Sequence, residues 1–302
     1  MVRYIHREKL DDEKYNQCIE KSSQTLLYAF TWYLDSVVDT WDALVLNDYE
    51  AVMPIPNAQK YFINYVYPPL WVLQLGVFSQ VEDDSRNDFI RCLEEKFNFV
   101  ELRLNSKNSI DTSLHPLSKK NQFQELQLTS DYETIKDSYK SDRKKDLKRA
   151  ANHHLYEKWE DNPESLLELF KNNVGKRTPD IHQSDYDKLK KLMDVCIHKK
   201  VGEVLSVYET DKLVASAFFL KHQKTVTILC SSTDFMNRKN GANTFLIDKA
   251  ISKYQRDYDL FNFGGSSIES IAKYFSSFGG QSVDYEFLKI NNLSFLSRLF
   301  KK

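Results

Sequence analysis

Apolar and polar positions along the chain fall into two successive sets of the same elements. WDALVLNDYEAVMPIP (41–56) reads as an apolar run, a polar turn at Asn47-Asp48 and a second apolar run, the signature of a β-hairpin. EVLSVYETDKLVASAFFL (203–220) repeats that signature with its turn at Thr210-Asp211, so that Asp211 lies 163 positions after Asp48. A third strand follows each hairpin, FINYVY from residue 62 and TVTILC from residue 225, again 163 apart. A loop then leads to an amphipathic helix, DFIRCLEEKF (88–97) in the first set and NTFLIDKAISKY (243–254) in the second. In the latter, Ile247, Ala250, Ile251 and Tyr254 recur at helical spacing. Short strands come next, FVELRL from 99 and LFNF from 260, and the sets close with QFQELQL (122–128) and VDYEFLKI (283–290). The helices TLLYAFTWYLDSVV (25–38) and DYDKLKKLMDVCIHKK (185–200) precede the two hairpins.

Several elements in one order at nearly one spacing predict a duplicated α/β unit, although residue identity between the copies is absent. The first copy is expected over 1–152 and the second over 153–302. The charged stretch DYETIKDSYKSDRKKDLKRAANHH (131–154) keeps an apolar stripe of Ile135, Tyr139, Leu147 and Ala150. It predicts a basic connecting helix over 131–152 at the end of the first copy, since a flexible linker would favour Gly, Ser or Pro.

Composition narrows the class. With 41% hydrophobic and 28% charged residues the chain is globular, and a net charge of −1 excludes a globally basic nucleic-acid binder. Cys18, Cys92, Cys196 and Cys230 are scattered without a C-x-x-C pair, which predicts reduced buried thiols in a cytoplasmic protein. The charged start MVRYIHREKLDDEKY lacks the apolar core of a signal peptide. YFINYVYPPLWVLQLGVFSQV (61–81) carries no charge, but Pro68-Pro69 interrupts it; it is expected to be a buried strand and then a loop, not a membrane span. Adjacent His153 and His154 make poor co-ligands, because neighbouring helical residues point to different sides; no metal is expected.

Three stretches are candidates for chemistry. In FNFGGSSIESIAKYFSSFGG (261–280), Gly264-Gly265 either turns the chain or keeps Cβ atoms out of a cleft. Ser266 to Glu269 reads as a capping box, and Ile268, Ile271, Ala272, Phe275 and Phe278 as a buried helix face. RKNGANTFL (238–246) ends in a helix N-terminus, which caps itself or binds an anion. From Lys136 to Arg149, seven Lys/Arg stand against three Asp, either as a solvated helix face or as a phosphate contact. No acid–base or nucleophilic residue stands out, so the catalytic residues are unassigned at this level.

The order of elements, with WDALVLNDYEAVMPIP, SDRKKDLKRA and FNFGGSSIESIAKYFSSFGG, resembles the FemAB-like acyltransferases, which carry two GNAT-type domains in tandem and are related to the Fem peptidyltransferases. The resemblance implies an α/β (α+β) fold of two GNAT-like domains, each a mixed, mostly antiparallel sheet flanked by helices, with the ligand cleft mainly in the second. It implies an N-acyltransferase that passes an acyl or aminoacyl group to an amine, without a covalent enzyme intermediate. Acyl-CoA is the implied donor. In GNAT enzymes a Q/R-x-x-G-x-G/A loop holds its pyrophosphate, and Arg238, Gly241, Ala242 and Asn243 match that loop with Asn243 in place of the last small residue. The implied acceptor is a small molecule or phosphorylated cell-wall precursor, met by Arg143, Lys144, Gly264, Gly265, Ser266 and Tyr274. Fem enzymes carry F-K-x-x-F in the C-terminal helix, where this chain reads Tyr274-Phe275-Ser276-Ser277-Phe278. The lysine is replaced by Phe275, which disfavours aminoacyl-tRNA as donor. A ligand-binding protein on the same scaffold is the non-enzymatic alternative.

Overall fold

In the computed structural model, which describes residues 1–60, 62–80, 86–110, 115–265 and 268–293, the chain forms two units. The first is Met1–Asn121 with Asp284–Lys302, and the second is Gln122–Val283. This division differs from the expected one at 152–153. The basic segment belongs to the second unit, and the last strand of the chain joins the first.

The first unit contains β1 (Val2–His6), α1 (Asp12–Lys21), α2 (Thr31–Val37), β2 (Trp41–Leu46), β3 (Ala51–Lys60), β4 (Ile63–Val66), β5 (Phe78–Ser79), α3 (Arg86–Lys96) and β6 (Phe99–Arg103). β2 and β3 form the expected hairpin, and Asn47 and Tyr49 in its turn adopt φ of 49° and 62°. The sheet runs β1-β2-β3-β4-β6, antiparallel except for β4 and β6. The predicted helix at 25–38 is broken. Leu27–Ala29 forms a 3-10 turn, and α2 starts only at Thr31 because Phe30 is extended (φ −66°, ψ 145°). Tyr28, Phe30 and Tyr33 are all buried, so packing of aromatic rings on more than one side overrides a single helical stripe.

The second unit begins within β7 (Lys119–Gln127) and continues with α4 (Tyr132–Asp137), α5 (Ser141–Asn152), β8 (Tyr156–Trp159), α6 (Pro163–Asn172), α7 (Gln183–His198), β9 (Gly202–Glu209), β10 (Lys212–His222) and β11 (Thr225–Thr233). α8 (Ala242–Tyr254), β12 (Leu260–Gly265) and α9 (Glu269–Ser276) follow, and β13 (Gln281–Asn291) leads out of it. Its sheet runs β8-β9-β10-β11-β12-β7, antiparallel except for β11 and β12. Both units therefore share one pairing sequence: an antiparallel run, then a parallel pair joined through a helix. The final strands do not stay with their sets. β7 pairs with β12 in the second unit, while β13 pairs with β6 in the first.

The core of the second unit lies between the sheet and α8, whose Leu246, Ile247, Ala250, Ile251 and Tyr254 pack with Phe219, Phe261, Phe263 and Phe278. α4 and α5 close this face through Ile135, Tyr139 and Ala150, while α6 and α7 pack the opposite face of β9 to β11. One buried carboxylate needs compensation: Glu203 takes Lys221 at 3.0 Å, Lys253 at 2.7 Å and the Tyr254 hydroxyl at 2.9 Å. Burial pushes its pKa up, but the two lysines outweigh burial and hold it below the ordinary glutamate value. The four cysteines are free, with Cys18, Cys196 and Cys230 buried. No described helix is long and apolar enough to cross a membrane.

Glu203→Gln should cost about 1–3 kcal/mol in urea unfolding at pH 7, because the lysine pair loses its counter-charge. A folded-state pKa below the ordinary value means that this contribution is present above the ordinary glutamate pKa and is lost as pH falls through the lower one. The stability gap between wild type and Glu203→Gln should therefore close in acid.

Candidate functional site

Two parallel strands that separate create the site. β11 and β12 pair only at Thr225↔Leu260, Val226↔Phe261 and Thr227↔Asn262. Beyond that point β11 runs on to Thr233 against β10 alone, while β12 turns toward β7. Two irregularities accompany the parting. Phe218 and Phe219 of β10 face Cys230 and Ile228, which leaves Leu229 as an extra residue in β11. On β12, Asn262 pairs with Glu125 but Gly265 pairs with Phe123, so one extra residue bulges near Gly264. Gly264 has φ 77°, a left-handed conformation that suits glycine, and its N–H donates to Asn262 Oδ1 at 2.9 Å.

The 3-10 segment Phe235–Asn240 after β11 leads into the N-terminus of α8. Gly241 adopts φ 83°, and a Cβ there would collide with the carbonyl oxygen of Asp146 on α5. Glycine is thus required by close approach of two backbones. Asn240 Oδ1 accepts from Ala242 N at 3.0 Å, and the N–H groups of Asn243 and Thr244 have no acceptor among the described residues. These donors, with the helix dipole, favour an anion. Of Arg238 only the backbone, in the 3-10 segment Phe235–Asn240, is described. Ser266 lies outside the described residues.

Arg143 sits inside this structure and not on its surface. Its Nη1 donates to Thr244 Oγ1 at 3.0 Å, its Nη2 meets Asp146 Oδ2 at 3.1 Å, and the guanidinium lies 4.4 Å from the centre of the Tyr274 ring. Thr244 gives its single hydroxyl proton to Asp146 at 3.0 Å. The Tyr274 hydroxyl, 3.1 Å away, must then donate to Thr244. Burial raises the Tyr274 pKa, against the pull of Thr244 and the Arg143 charge. This cluster binds α5, the first turn of α8 and α9 together. Lys144 is half-exposed and donates to Asp137 O at 2.8 Å.

α9 departs from expectation in two ways. Glu269 is its first residue and Ile268 its cap, without a side-chain bond, so Glu269 does not occupy the third helical position that a capping box from Ser266 requires. The expected core face is buried only toward its end: Phe278 is inaccessible and Phe275 stacks on Phe263 at 5.0 Å, whereas Ile268 is 61% and Ile271 38% exposed. The aromatic core stops short of the helix's first turn. Phe275, where the Fem motif has lysine, is therefore a packing residue. His153 meets Glu209 at 2.7 Å, and no group of His, Cys, Asp or Glu among the described residues could hold a metal.

One residue escaped notice in the sequence. Glu125 on β7 faces away from α8 with Asn262, whose Nδ2 donates to Glu125 Oε1 at 3.2 Å. Within QFQELQL it read only as the polar phase of a strand; no local pattern marks it, because the pairing with Asn262 is 137 residues away.

No protein-family model matches the chain, and no curated protein matches it by sequence. Solved structures do match in fold. FemX is similar over 99% of this chain and 100% of its own, with 10% identity and a TM-score of 0.67. A tandem GNAT protein from the clavulanic acid biosynthesis pathway covers 96% of this chain and 98% of its own at 9% identity and TM-score 0.56. The L-PGS of Bacillus licheniformis covers 96% and 95% at 12% identity and TM-score 0.53. The chain thus has the FemAB-like, GNAT-type fold.

The two glycines of β12 should separate on mutation. Gly264→Ala should cost about 1–2 kcal/mol, since an L-residue is strained at that φ. Gly265→Ala should stay within about 0.5 kcal/mol of wild type, because nothing lies within 4 Å of its added Cβ. Chemical denaturation of both variants checks this.

Proposed function

We propose that the protein is an N-acyltransferase that moves an acyl group from acyl-CoA or a related thioester to an amine on a phosphorylated small molecule or cell-wall precursor. The observation that carries this reading is the parting of β11 and β12, the two parallel strands that α8 joins. A gap between strands would admit an acyl chain, and a helix N-terminus whose Asn243 and Thr244 N–H groups have no acceptor among the described residues suits the anionic part of a thioester carrier. Gly241, Ala242, Asn243 and Arg238 would form that anion site, with Gly264, Gly265 and Ser266 on the acceptor side, while Tyr274, expected there from the sequence, packs on the α8 face against Thr244 and Arg143. The fold would then be two copies of one GNAT-like unit, of which the second binds the ligand. In the first unit the space between the parallel strands is occupied by the chain itself: Leu75 bridges to Leu104, with Leu75 N to Arg103 O at 2.8 Å and Asn105 N to Leu75 O at 2.6 Å.

Arg143 and Lys144 take different parts in this reading. The Arg143 guanidinium is committed to Asp146, Thr244 and Tyr274, so it would hold the helix mouth in place, and the more exposed Lys144 would meet a phosphate. Phe275 in its stack speaks against a donor that needs the Fem lysine, namely aminoacyl-tRNA.

Calorimetric titration with acetyl-CoA should show binding, and incubation with a panel of primary amines should release free thiol and amide. RNase treatment should leave the rate unchanged. Absence of heat and of a thermal shift would remove this donor; loss of transfer after RNase would restore aminoacyl-tRNA. Gly265→Val should lower transfer while leaving stability near wild type, because it fills the opening without strain elsewhere.

A further inference from the structure

The two sides of the strand gap carry different chemistry. Phe261, Phe263 and Leu126 point into the core beneath α8, so the alternation of strands sends Asn262 and Glu125 to the opposite face. Asn262 is the last residue of β12 to pair with β11, which puts its side chain at the root of the gap. α6 and α7 cover β9 to β11 on that face, and Glu125 and Asn262 remain half-buried there. Their arrangement is fixed in two steps: Gly264 N holds Asn262 Oδ1 at 2.9 Å, and Asn262 Nδ2 in turn holds Glu125 Oε1 at 3.2 Å. The bulge at Gly264 that opens the strands therefore also orients the carboxylate.

We propose that Glu125 is the general base of the acyl transfer, with Asn262 as its positioning residue, and that the amine reaches the thioester from the face opposite α8. The proposal rests on the acyl-transfer reading above. Glu125 takes a proton from the substrate ammonium to give the neutral amine. The amine nitrogen attacks the thioester carbonyl carbon; the N–C bond forms, the C–S bond breaks, and the second nitrogen proton passes to the leaving thiolate. Glu125 then returns its proton to water. Burial raises the Glu125 pKa against the hydrogen bond from Asn262. A raised pKa brings a carboxylate closer to the proton affinity a base requires near neutrality. It also makes the base active above that pKa and silent below it.

The test compares wild type, Glu125→Gln and Asn262→Ala, with acetyl-CoA as donor and a panel of primary amines as acceptors. Glu125→Gln should lower kcat about 10²- to 10⁴-fold without changing acetyl-CoA affinity, and should abolish the acid limb of the kcat/KM profile. Asn262→Ala should keep that limb but move its midpoint upward, since it removes the bond that stabilises the charged form. In parallel, the Glu125 carboxyl carbon is titrated by NMR, assigned by its loss in Glu125→Gln, with and without lysine methyl ester. A midpoint above the ordinary glutamate value that moves on adding the amine supports the proposal. An unchanged kcat and acid limb in Glu125→Gln would overturn it while leaving acyl transfer intact. Should wild type transfer nothing to any amine, the acyl-transfer reading fails, and an ordinary titration untouched by the amine overturns the Glu125 proposal as well.

Discussion

The site depends on a ladder that stops after three pairs. Parallel strands joined by a helix normally stay hydrogen-bonded, because each buried N–H and C=O left alone costs free energy. β11 and β12 give up that pairing beyond Thr227 and Asn262. The chain tolerates the loss because each strand is held on its other edge, β11 by β10 and β12 by β7. The bulges at Leu229 and Gly264 bend the two strands apart at the point where the ladder ends. The first unit meets the same problem differently, by passing the segment around Leu75 back to Leu104. One pairing plan thus yields a bridged ladder in one unit and an unbridged parting of strands in the other.

The first turn of α8 is held by identifiable contacts. α5 presses its backbone against Gly241, so any side chain at that position would force the helices apart. Arg143, Asp146, Thr244 and Tyr274 then lock the first turn of α8 with charge-assisted bonds, which are stronger than neutral ones. A basic residue that looked like a ligand contact became an internal brace because its fork found a carboxylate three residues away on its own helix. The Arg143 Nε is buried without a partner among the described residues, so the brace leaves one donor unused there.

Much of the fold was legible in the sequence for simple reasons. Hairpins at Asn47-Asp48 and Thr210-Asp211, and the helix from Ala242 to Tyr254, follow from local periodicity and turn residues. Long-range choices were not legible. Nothing in QFQELQL or VDYEFLKI says which unit each strand completes, since both alternate equally well and partner choice is made by distant edges. The broken helix before β2 failed for a related reason, as buried aromatic rings at Tyr28, Phe30 and Tyr33 outweighed a continuous stripe. For the site, Gly241 and Gly264 could be read as special because glycine marks special backbone. Glu125 could not, because its environment is assembled by a pairing across the chain.

The placement of β7 gives that pairing its chemical weight. Had the strand stayed with the first unit, β12 would expose its outer edge, and Asn262 would have no carboxylate opposite it. By bringing residues 122–127 into the second unit, the chain caps that edge and sets Glu125 across from Asn262 in register. The Gly264 bulge ends the register one residue later, so the carboxylate is held by a regular ladder while the neighbouring backbone is free to diverge. Order on one side of Asn262 and parting on the other are thus two consequences of one strand's pairing.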